Sequence, residues 1–289
     1  MPLAGFCVWH RIQVKVGQIA SVVSRLRATP PRNQPMLTTF IGIDASWRAH
    51  NPSGVAVARG TPSEATLMAL IYAQTHNDVA AIVKEHQSET TIVTIDAPLV
   101  VTNPAGTCRN CERSIGREFG RFGASAHTMN LPKFERYGLG RLVGLLENLC
   151  FEHGIEGDRI RTDGLRMFEV YPHPAHIRLF DRDAIVRYKS RYGVAQRRVG
   201  LCELRDLTAQ LAIGDGPRLD PGNDGRAFLS LDLSITRGKS IKRYEDLLDG
   251  WLCAYLAMNI ACWDKDGNEV FGTREDGYIV VPRRSEHRQ

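Results

Sequence analysis

The residues of this chain best suited to chemistry are aspartates that stand at the ends of apolar runs. Asp44 closes the run 40–43, and Asp96 closes the run 91–95. If these runs are neighbouring strands, the two carboxylates face each other and repel unless one is protonated or a cation lies between them. A strand-end aspartate also commonly caps a turn. Two of them in one sheet nevertheless favour a metal site.

A third group of acids lies on the strongest predicted helix, residues 244–260. At about 100° per residue, Asp249 falls at the edge of the apolar stripe, whereas Asp246 lies nearly opposite its centre. An aspartate on an outer helix face is more often solvated or interacts with the helix dipole. Asp249 is therefore the stronger metal candidate and Asp246 a possible second one. The stripe itself consists of Leu247, Leu248, Trp251, Leu252, Tyr255 and Leu256.

The carboxylate-rich set predicts the type of ion and the type of reaction. Carboxylates with few histidine partners favour Mg²⁺ or Mn²⁺. Two such ions, about 4 Å apart, can activate water and stabilise the leaving oxygen of a phosphodiester. Other phosphate-binding motifs fail, because Leu233 occupies the position where a P-loop ending at Gly238-Lys239-Ser240 needs glycine.

Basic side chains suited to phosphate lie in one long segment, residues 97–137. This segment is rich in Gly, Arg and Ser and poor in periodicity, so it is predicted to be a functional insertion or a flexible lid. Phosphate binding by its arginines and a merely solvated loop are both open interpretations. Lys189 is another plausible phosphate contact, although its basic neighbours also fit a simple basic turn. The basic and aromatic residues of the segment are Arg109, Arg113, Arg117, Arg121, Phe119 and Phe122.

The net charge of +5 belongs to the N-terminal tail. Residues 1–39 hold five basic and no acidic side chains, which leaves 32 of each sign in the rest of the 289 residues. A neutral body excludes a bulk-basic, histone-like coat. The tail, assigned to residues 1–37, contains a weak amphipathic pattern followed by a Pro-rich break. It resembles a transit peptide only superficially, and Met36 is an alternative start.

Cysteine usage and hydropathy predict the setting of the protein. The seven cysteines are scattered, and Cys108 and Cys111 form a lone C-x-x-C without a second close pair. A structural zinc site needs about four ligands, so these thiols are interpreted as incidental. This pattern fits a reduced, cytoplasmic protein, and no apolar run is long enough to predict a membrane span.

The predicted elements form an α/β sandwich with a mixed sheet. Three strands, a helix and a fourth strand are followed by helices that alternate with strands. A short helix is predicted to begin at Pro174. His173 and His176, which flank its start, are interpreted as capping or surface groups. The predicted strands are residues 40–44, 54–58, 67–72, 91–95, 167–171 and 278–281, and the predicted helices are 78–85, 138–151, 199–211 and 244–260.

Several short motifs carry a family resemblance. In chain order they are Gly42–Asp44, Gly54–Val57, Thr94–Leu99, Cys108–Arg113, Phe168–Ala175, Tyr188–Lys189, Asp246–Gly250 and Gly277–Pro282. Together they resemble the RNase H-like "predicted nuclease" family, domain of unknown function 429, over roughly residues 38–283. Gly250 stands where alanine is common in the family.

The resemblance implies a fold and a set of functional residues. The fold is a mixed five-stranded sheet flanked by helices, in residues 38–289, similar to the Holliday-junction resolvase branch of the RNase H-like superfamily. Asp44, Asp96 and Asp249 take the catalytic and metal-binding roles, and Asp246 supports them. Glu169 is a fourth ligand, a group that holds part of the substrate, or a structural residue that accepts hydrogen bonds from a neighbouring loop.

The leading prediction is a metal-dependent nuclease that acts on DNA or RNA with two Mg²⁺ or Mn²⁺ ions. Its predicted substrate contacts are Arg109, Arg113 and Lys189. One alternative is a catalytically inactive binder of nucleic acid or nucleotide on the same fold, which tolerates loss of Asp44. Another phosphoryl-transfer enzyme is less favoured, because no phosphate loop is present.

Overall fold

The computed structural model describes residues 37–48 and 50–284. The predicted tail, with its amphipathic pattern and its Pro-rich break, lies outside the described residues. The strands are β1 (Thr38–Asp44), β2 (Ser53–Gly60), β3 (Glu64–Ala73), β4 (Thr91–Ile95), β5 (Glu152–His153), β6 (Ile155–Glu156), β7 (Arg159–Ile160), β8 (Leu165–Glu169), β9 (Arg218–Asp220), β10 (Asn268–Thr273) and β11 (Gly277–Pro282). The α-helices are α1 (His76–His86), α2 (Asn110–Phe119), α3 (Leu131–Tyr137), α4 (Leu139–Glu147), α5 (Pro172–Leu179), α6 (Val194–Gln210), α7 (Gly222–Leu229) and α8 (Lys239–Gly267).

A mixed sheet of seven strands forms the centre of the fold, in the order β5-β8-β4-β1-β2-β3-β9. Strands β1, β2 and β3 are antiparallel neighbours, whereas the other pairings of the sheet are parallel. The predicted count of five was too low, because β5 and β9 add two- and three-residue strands at the edges. Such short segments carry no apolar period that a sequence pattern reveals.

Helices cover both faces of the sheet, which explains why the central strands are apolar along their length. One face packs against α1 and α4, with Val79, Val83, Leu142 and Leu146 in the shared core. The opposite face packs against α8 and against α6 and α7. All five residues of β4 are buried as a result.

Helix α8 lies unusually close to the sheet because glycines face it. A Cβ atom added at Gly42 would lie 1.9 Å from the Ala254 nitrogen, and one at Gly54 would lie 1.9 Å from the Asp246 carbonyl oxygen. On the helix itself, a Cβ at Gly250 would lie 2.7 Å from the Gly54 oxygen. Backbone therefore contacts backbone along this interface, and side chains would force the layers apart.

The segment 97–137 is more ordered than its composition predicts. It contains α2, a 3₁₀ turn and α3, for which the sequence pattern predicted no element. The pattern is weak because the apolar face of α2 is short: Cys111, Ile115 and Phe119 pack on Phe271 and Ile279 of the β10–β11 hairpin.

Two other elements differ in extent from their predictions. Helix α8 runs over 29 residues and has a kink at Asp264. It begins five residues before the predicted helix, which starts at residue 244. Residues 214–225, which contain none of the predicted elements, include β9 and the start of α7. None of the helices in residues 37–48 and 50–284 is both long and apolar enough to cross a membrane.

The glycine contacts predict a large loss of stability for Gly42→Ala. The new methyl group clashes with helix backbone, which cannot rotate away as a side chain can. We therefore expect destabilisation of about 3 kcal/mol, the upper end of the range for an extra methyl group in a packed core. Urea unfolding followed by circular dichroism measures it. Gly144→Ala in α4, where no atom lies within 4 Å of the added Cβ, serves as the control and should stabilise by up to about 1 kcal/mol. Equal effects of the two variants would contradict the packing argument.

Candidate active site

Asp44 and Asp96 lie side by side at the carboxyl ends of two parallel strands. Ile43 of β1 pairs with Ile95 of β4, and the Asp96 nitrogen donates to the Ile43 oxygen at 2.9 Å. Both aspartates line a cleft of about 1130 Å³, here called the strand-end cleft. Its charged lining residues are Asp44, Asp96, Arg109, Glu169, Lys189, Arg191, Lys239, Lys242, Arg243, Glu245 and Asp246.

The surroundings of these two aspartates disfavour their charged forms. Burial, and after it the charges of Asp246 and Asp249, raise the pKa of Asp44 well above its usual range. Burial also raises the pKa of Asp96 to about 7, although Lys189 opposes the shift. Neither carboxylate has a hydrogen-bonding partner within residues 37–48 and 50–284. A proton or a cation is therefore the remaining way to stabilise the pair.

Asp249 lies beneath the cleft rather than in its wall. It is fully buried on α8 and accepts hydrogen bonds from the Tyr188 hydroxyl at 2.8 Å and from the Lys189 Nζ at 2.7 Å. Burial raises the pKa of Asp249, and Lys189 opposes this. Burial disfavours the charge of Lys189 as well, but the acidic groups around it, Asp249 foremost, together raise the pKa of Lys189 well above its ordinary value. The two form a tight ion pair that presents lysine to the cleft.

Asp246 lies in the cleft wall, and its predicted position on an outer helix face is wrong. It is only 3% exposed, accepts a hydrogen bond from the Tyr72 hydroxyl at 3.1 Å and forms an ion pair with Lys242. The helical wheel failed because α8 is buried on nearly all sides around this turn. The neighbouring Glu245 is likewise buried and pairs with Arg197 at 2.7 Å.

Glu169 ends β8, beside Asp96, and is bound by Arg109. The Arg109 Nη2 and Nη1 atoms donate to the two Glu169 oxygens at 2.6 and 2.8 Å, and Leu99 donates its backbone N–H at 2.9 Å. Burial raises the pKa of Glu169, and Arg109 opposes this. The Arg109 Nε donates to Glu112 at 2.8 Å. Of the roles left open for Glu169, these contacts are those of a structural acceptor of hydrogen bonds.

The predicted arginine cluster is not brought together at the cleft. Arg109 reaches the cleft, but its guanidinium is buried and satisfied by Glu169 and Glu112. Arg113 is exposed, does not line the cleft and donates to Asn110 of its own helix. The spacing of these arginines did not reveal that they point in different directions, because α2 was not predicted.

His173 and His176 are core residues, which corrects their interpretation as capping or surface groups. Helix α5 begins at Pro172, and both rings are buried, His173 in its first turn and His176 in its last. His173 also contacts the Tyr171 hydroxyl at 3.1 Å through Nδ1. Burial lowers the pKa of His176 to about 3 and that of His173 well below its ordinary value.

Sequence reasoning missed the basic and aromatic residues that stand beside the carboxylates. Lys239, Lys242 and Arg243 line the cleft from the first turns of α8, and Trp47 lines it from the loop after β1. The spacing of Lys242 to Asp246, four residues apart on a helix, was the available signal for the ion pair.

The comparisons with known proteins bear on the whole domain. Residues 42–274 match the family described as protein of unknown function (DUF429). The chain belongs to this family. The match includes Asp44, Asp96 and Asp249. The DUF429 region therefore contains both aspartates of the strand-end cleft and the helix that carries Asp249. No curated protein matches the chain.

The buried arginine predicts a stability effect. Arg109→Ala leaves Glu169 and Glu112 buried without their shared cation, so we expect a loss of about 3–5 kcal/mol. Urea or thermal unfolding measures it. Arg113→Ala removes the same charge from an exposed site in the first turn of α2 and should change stability by no more than about 0.5 kcal/mol. If Arg109→Ala unfolds like Arg113→Ala, the network does not hold the segment 97–137 in place.

The buried histidines predict a pH dependence with a definite sign. In the unfolded chain His176 takes up a proton near pH 6.5, but in the folded chain its pKa is about 3. Between these values the unfolded state binds more protons, so stability falls as pH falls. His176→Phe should reduce this slope by about 1.4 kcal/mol per pH unit between pH 4 and 6.

Urea unfolding at several pH values measures that slope, whatever the absolute stability of the variant. His86→Phe, at the end of α1 and only half-buried, is the control and should leave the slope near that of the wild type. An unchanged slope in His176→Phe would show that His176 is protonated in the native protein.

Proposed function

We propose that this chain is a metal-dependent nuclease of the RNase H-like type, which hydrolyses phosphodiester bonds of DNA or RNA. The observation that carries the proposal is the pair Asp44 and Asp96. They are adjacent at parallel strand ends, they line the cleft, and they lack partners within the described residues. Half-buried like charges held side by side without partners are costly. A cation-binding role accounts for keeping two of them together.

The donor set fits a hard divalent ion held in part by water and substrate. Among residues 37–48 and 50–284, no three His, Cys, Asp or Glu side chains are arranged to hold a metal. Mg²⁺, however, is usually bound by one or two carboxylates, several waters and substrate phosphates. Asp44 and Asp96 would supply the two carboxylates. When bound, the ion would lower the pKa of a water and neutralise charge on the phosphate.

Binding the second ion that the resemblance implies would break two ion pairs of this cleft. Asp246 and Asp249 would have to exchange Lys242 and Lys189 for it. In the arrangement present, these lysines supply positive charge beside Asp44, where charge develops on a phosphate during hydrolysis. Lys189 would thus assist phosphate binding, which is the role that the sequence analysis predicts for it.

Two observations bear on the remaining features of this proposal. A mixed sheet whose first and fourth strands end in aspartate supports the RNase H-like assignment, together with the last long helix behind them. The six cysteines of the described residues are free thiols. This supports the proposed cytoplasmic setting, where thiols stay reduced.

The second candidate is a nucleic-acid binder without catalysis. The observation in its favour is that Lys189 and Lys242 already neutralise Asp249 and Asp246. Such a protein would bind nucleic acid with or without Mg²⁺ and would tolerate loss of Asp44.

Asp44→Asn separates the two functions. We expect the purified wild type to cut at least one member of a panel of single-stranded, branched and RNA substrates with Mg²⁺ or Mn²⁺, and not with EDTA. Asp44→Asn should abolish cleavage and also the cation-dependent rise in melting temperature. Without metal the variant should melt above the wild type, because it removes a carboxylate that the charges of Asp246 and Asp249 disfavour.

Asp158→Asn is the matched control, since Asp158 is exposed and lies outside the cleft. It should retain both cleavage and the cation response. An intact substrate panel, together with an Mn²⁺ response that survives in Asp44→Asn, would rule out the nuclease proposal and favour the binder.

A further inference from the structure

The strand-end cleft has two walls of different chemistry, because the sheet separates them. Trp47 packs at the margin of the core formed with α1 and α4, on one face of the sheet. Helix α8 packs on the opposite face. Asp44 and Asp96 end their strands between these layers, so they form a floor between the two walls.

The first wall is aromatic. The Trp47 ring contacts Tyr137 with 5.6 Å between centroids, and it meets His127 edge-on at 6.0 Å. Trp47 is partly exposed and lines the cleft together with His127. Its neighbours hold the indole, and the exposed remainder is available to stack on a planar group.

The second wall is basic, and part of its charge is uncompensated. Lys239, Arg243 and Arg191 are exposed and line the cleft. None of the three forms an ion pair with a carboxylate in the described part of the chain. Arg243 and Arg191 instead lie over the rings of Tyr72 and Tyr192, at 5.4 and 4.9 Å from the centroids. This differs from Lys189 and Lys242, whose charges are matched by buried acids.

We infer that the cleft binds a single nucleic-acid strand, with a base stacked on Trp47 and backbone phosphates on Lys239, Arg243 and Arg191. Stacking platforms combined with a basic groove are the physical basis of single-strand binding. A base in a duplex is already stacked and paired, so it is not free to lie on the aromatic wall. The volume of about 1130 Å³ lies slightly above the usual range of small-ligand pockets, so it leaves room for more than a mononucleotide.

The inference deepens the proposed nuclease function. A strand held between the two walls has a phosphodiester above the floor, next to Asp44 and Asp96. The inference rests on the proposed function only for that step, since the binding itself requires the walls alone.

The test is the affinity of the full chain for labelled oligonucleotides of about ten nucleotides, within the range of known single-strand sites. Fluorescence anisotropy in EDTA, which prevents cleavage, compares single-stranded DNA, single-stranded RNA and the duplex of the same sequence. We expect the single strands to bind at least about tenfold more tightly than the duplex. Trp47→Ala should weaken single-strand binding roughly tenfold, whereas Trp47→Phe should retain most of it.

The basic wall is tested by the salt dependence of the same binding. Lys239→Ala and Arg243→Ala should each reduce the slope of log affinity against log salt by about 0.7, the value for one phosphate contact on a single strand. Arg117→Ala is the charge-matched control, because Arg117 is exposed on α2 and lies outside the cleft. Its slope should equal that of the wild type.

The outcomes separate the inference from the proposed function. Single-strand binding that depends on Trp47, without cleavage under any metal, retains the inference and removes the nuclease. Metal-dependent cleavage with equal affinity for duplex and single strand, or with Trp47→Ala unchanged, overturns the inference and retains the nuclease. Absence of binding to every oligonucleotide overturns the inference regardless of any cleavage.

Discussion

The structure depends on the direct contact between helix α8 and strands β1 and β2. The backbone of Gly42 and Gly54 faces the backbone of the helix so closely that a methyl group would lie within 2 Å of it. This contact sets the height of the helix over the sheet. It thereby brings Asp246 and Asp249 to the level at which β1 ends in Asp44, and the charges of the three acids act on one another.

Concentrating acids at a sheet edge is costly, and the chain offsets much of that cost with cations, two of which come from positions 60 residues away. Lys189 lies against Asp249, Lys242 against Asp246, and Arg109 against Glu169. Each of these pairs exchanges hydration for a short ionic contact in a partly or fully buried site. What is left uncompensated is the floor of the cleft, Asp44 and Asp96. The two carboxylates left without a side-chain partner are thus the residues proposed to bind an ion, and perturbed carboxylates commonly cluster at functional sites.

The same network also joins the segment 97–137 to the sheet. Arg109 connects Glu169 of β8 with Glu112 of α2, and Glu112 in turn accepts the backbone N–H groups of Arg109 and Met129. A segment whose composition indicated a loop is therefore fixed by one buried cation and by a small apolar face on the β10–β11 hairpin. Sequence periodicity could not find it, because ten residues of helix with three buried apolar side chains resemble a polar loop.

The sequence by itself determined the long, strongly patterned elements and the acids at their ends. β4 has the predicted bounds, and Asp44 and Asp96 follow from apolar runs that stop at a carboxylate. Only the tertiary structure decided which charges meet. The pairing of Lys189 with Asp249 spans 60 residues, and the burial of Asp246 depends on elements packed around α8. Periodicity reports the faces of one element, whereas ion pairing and burial depend on how several elements pack, which no local pattern contains.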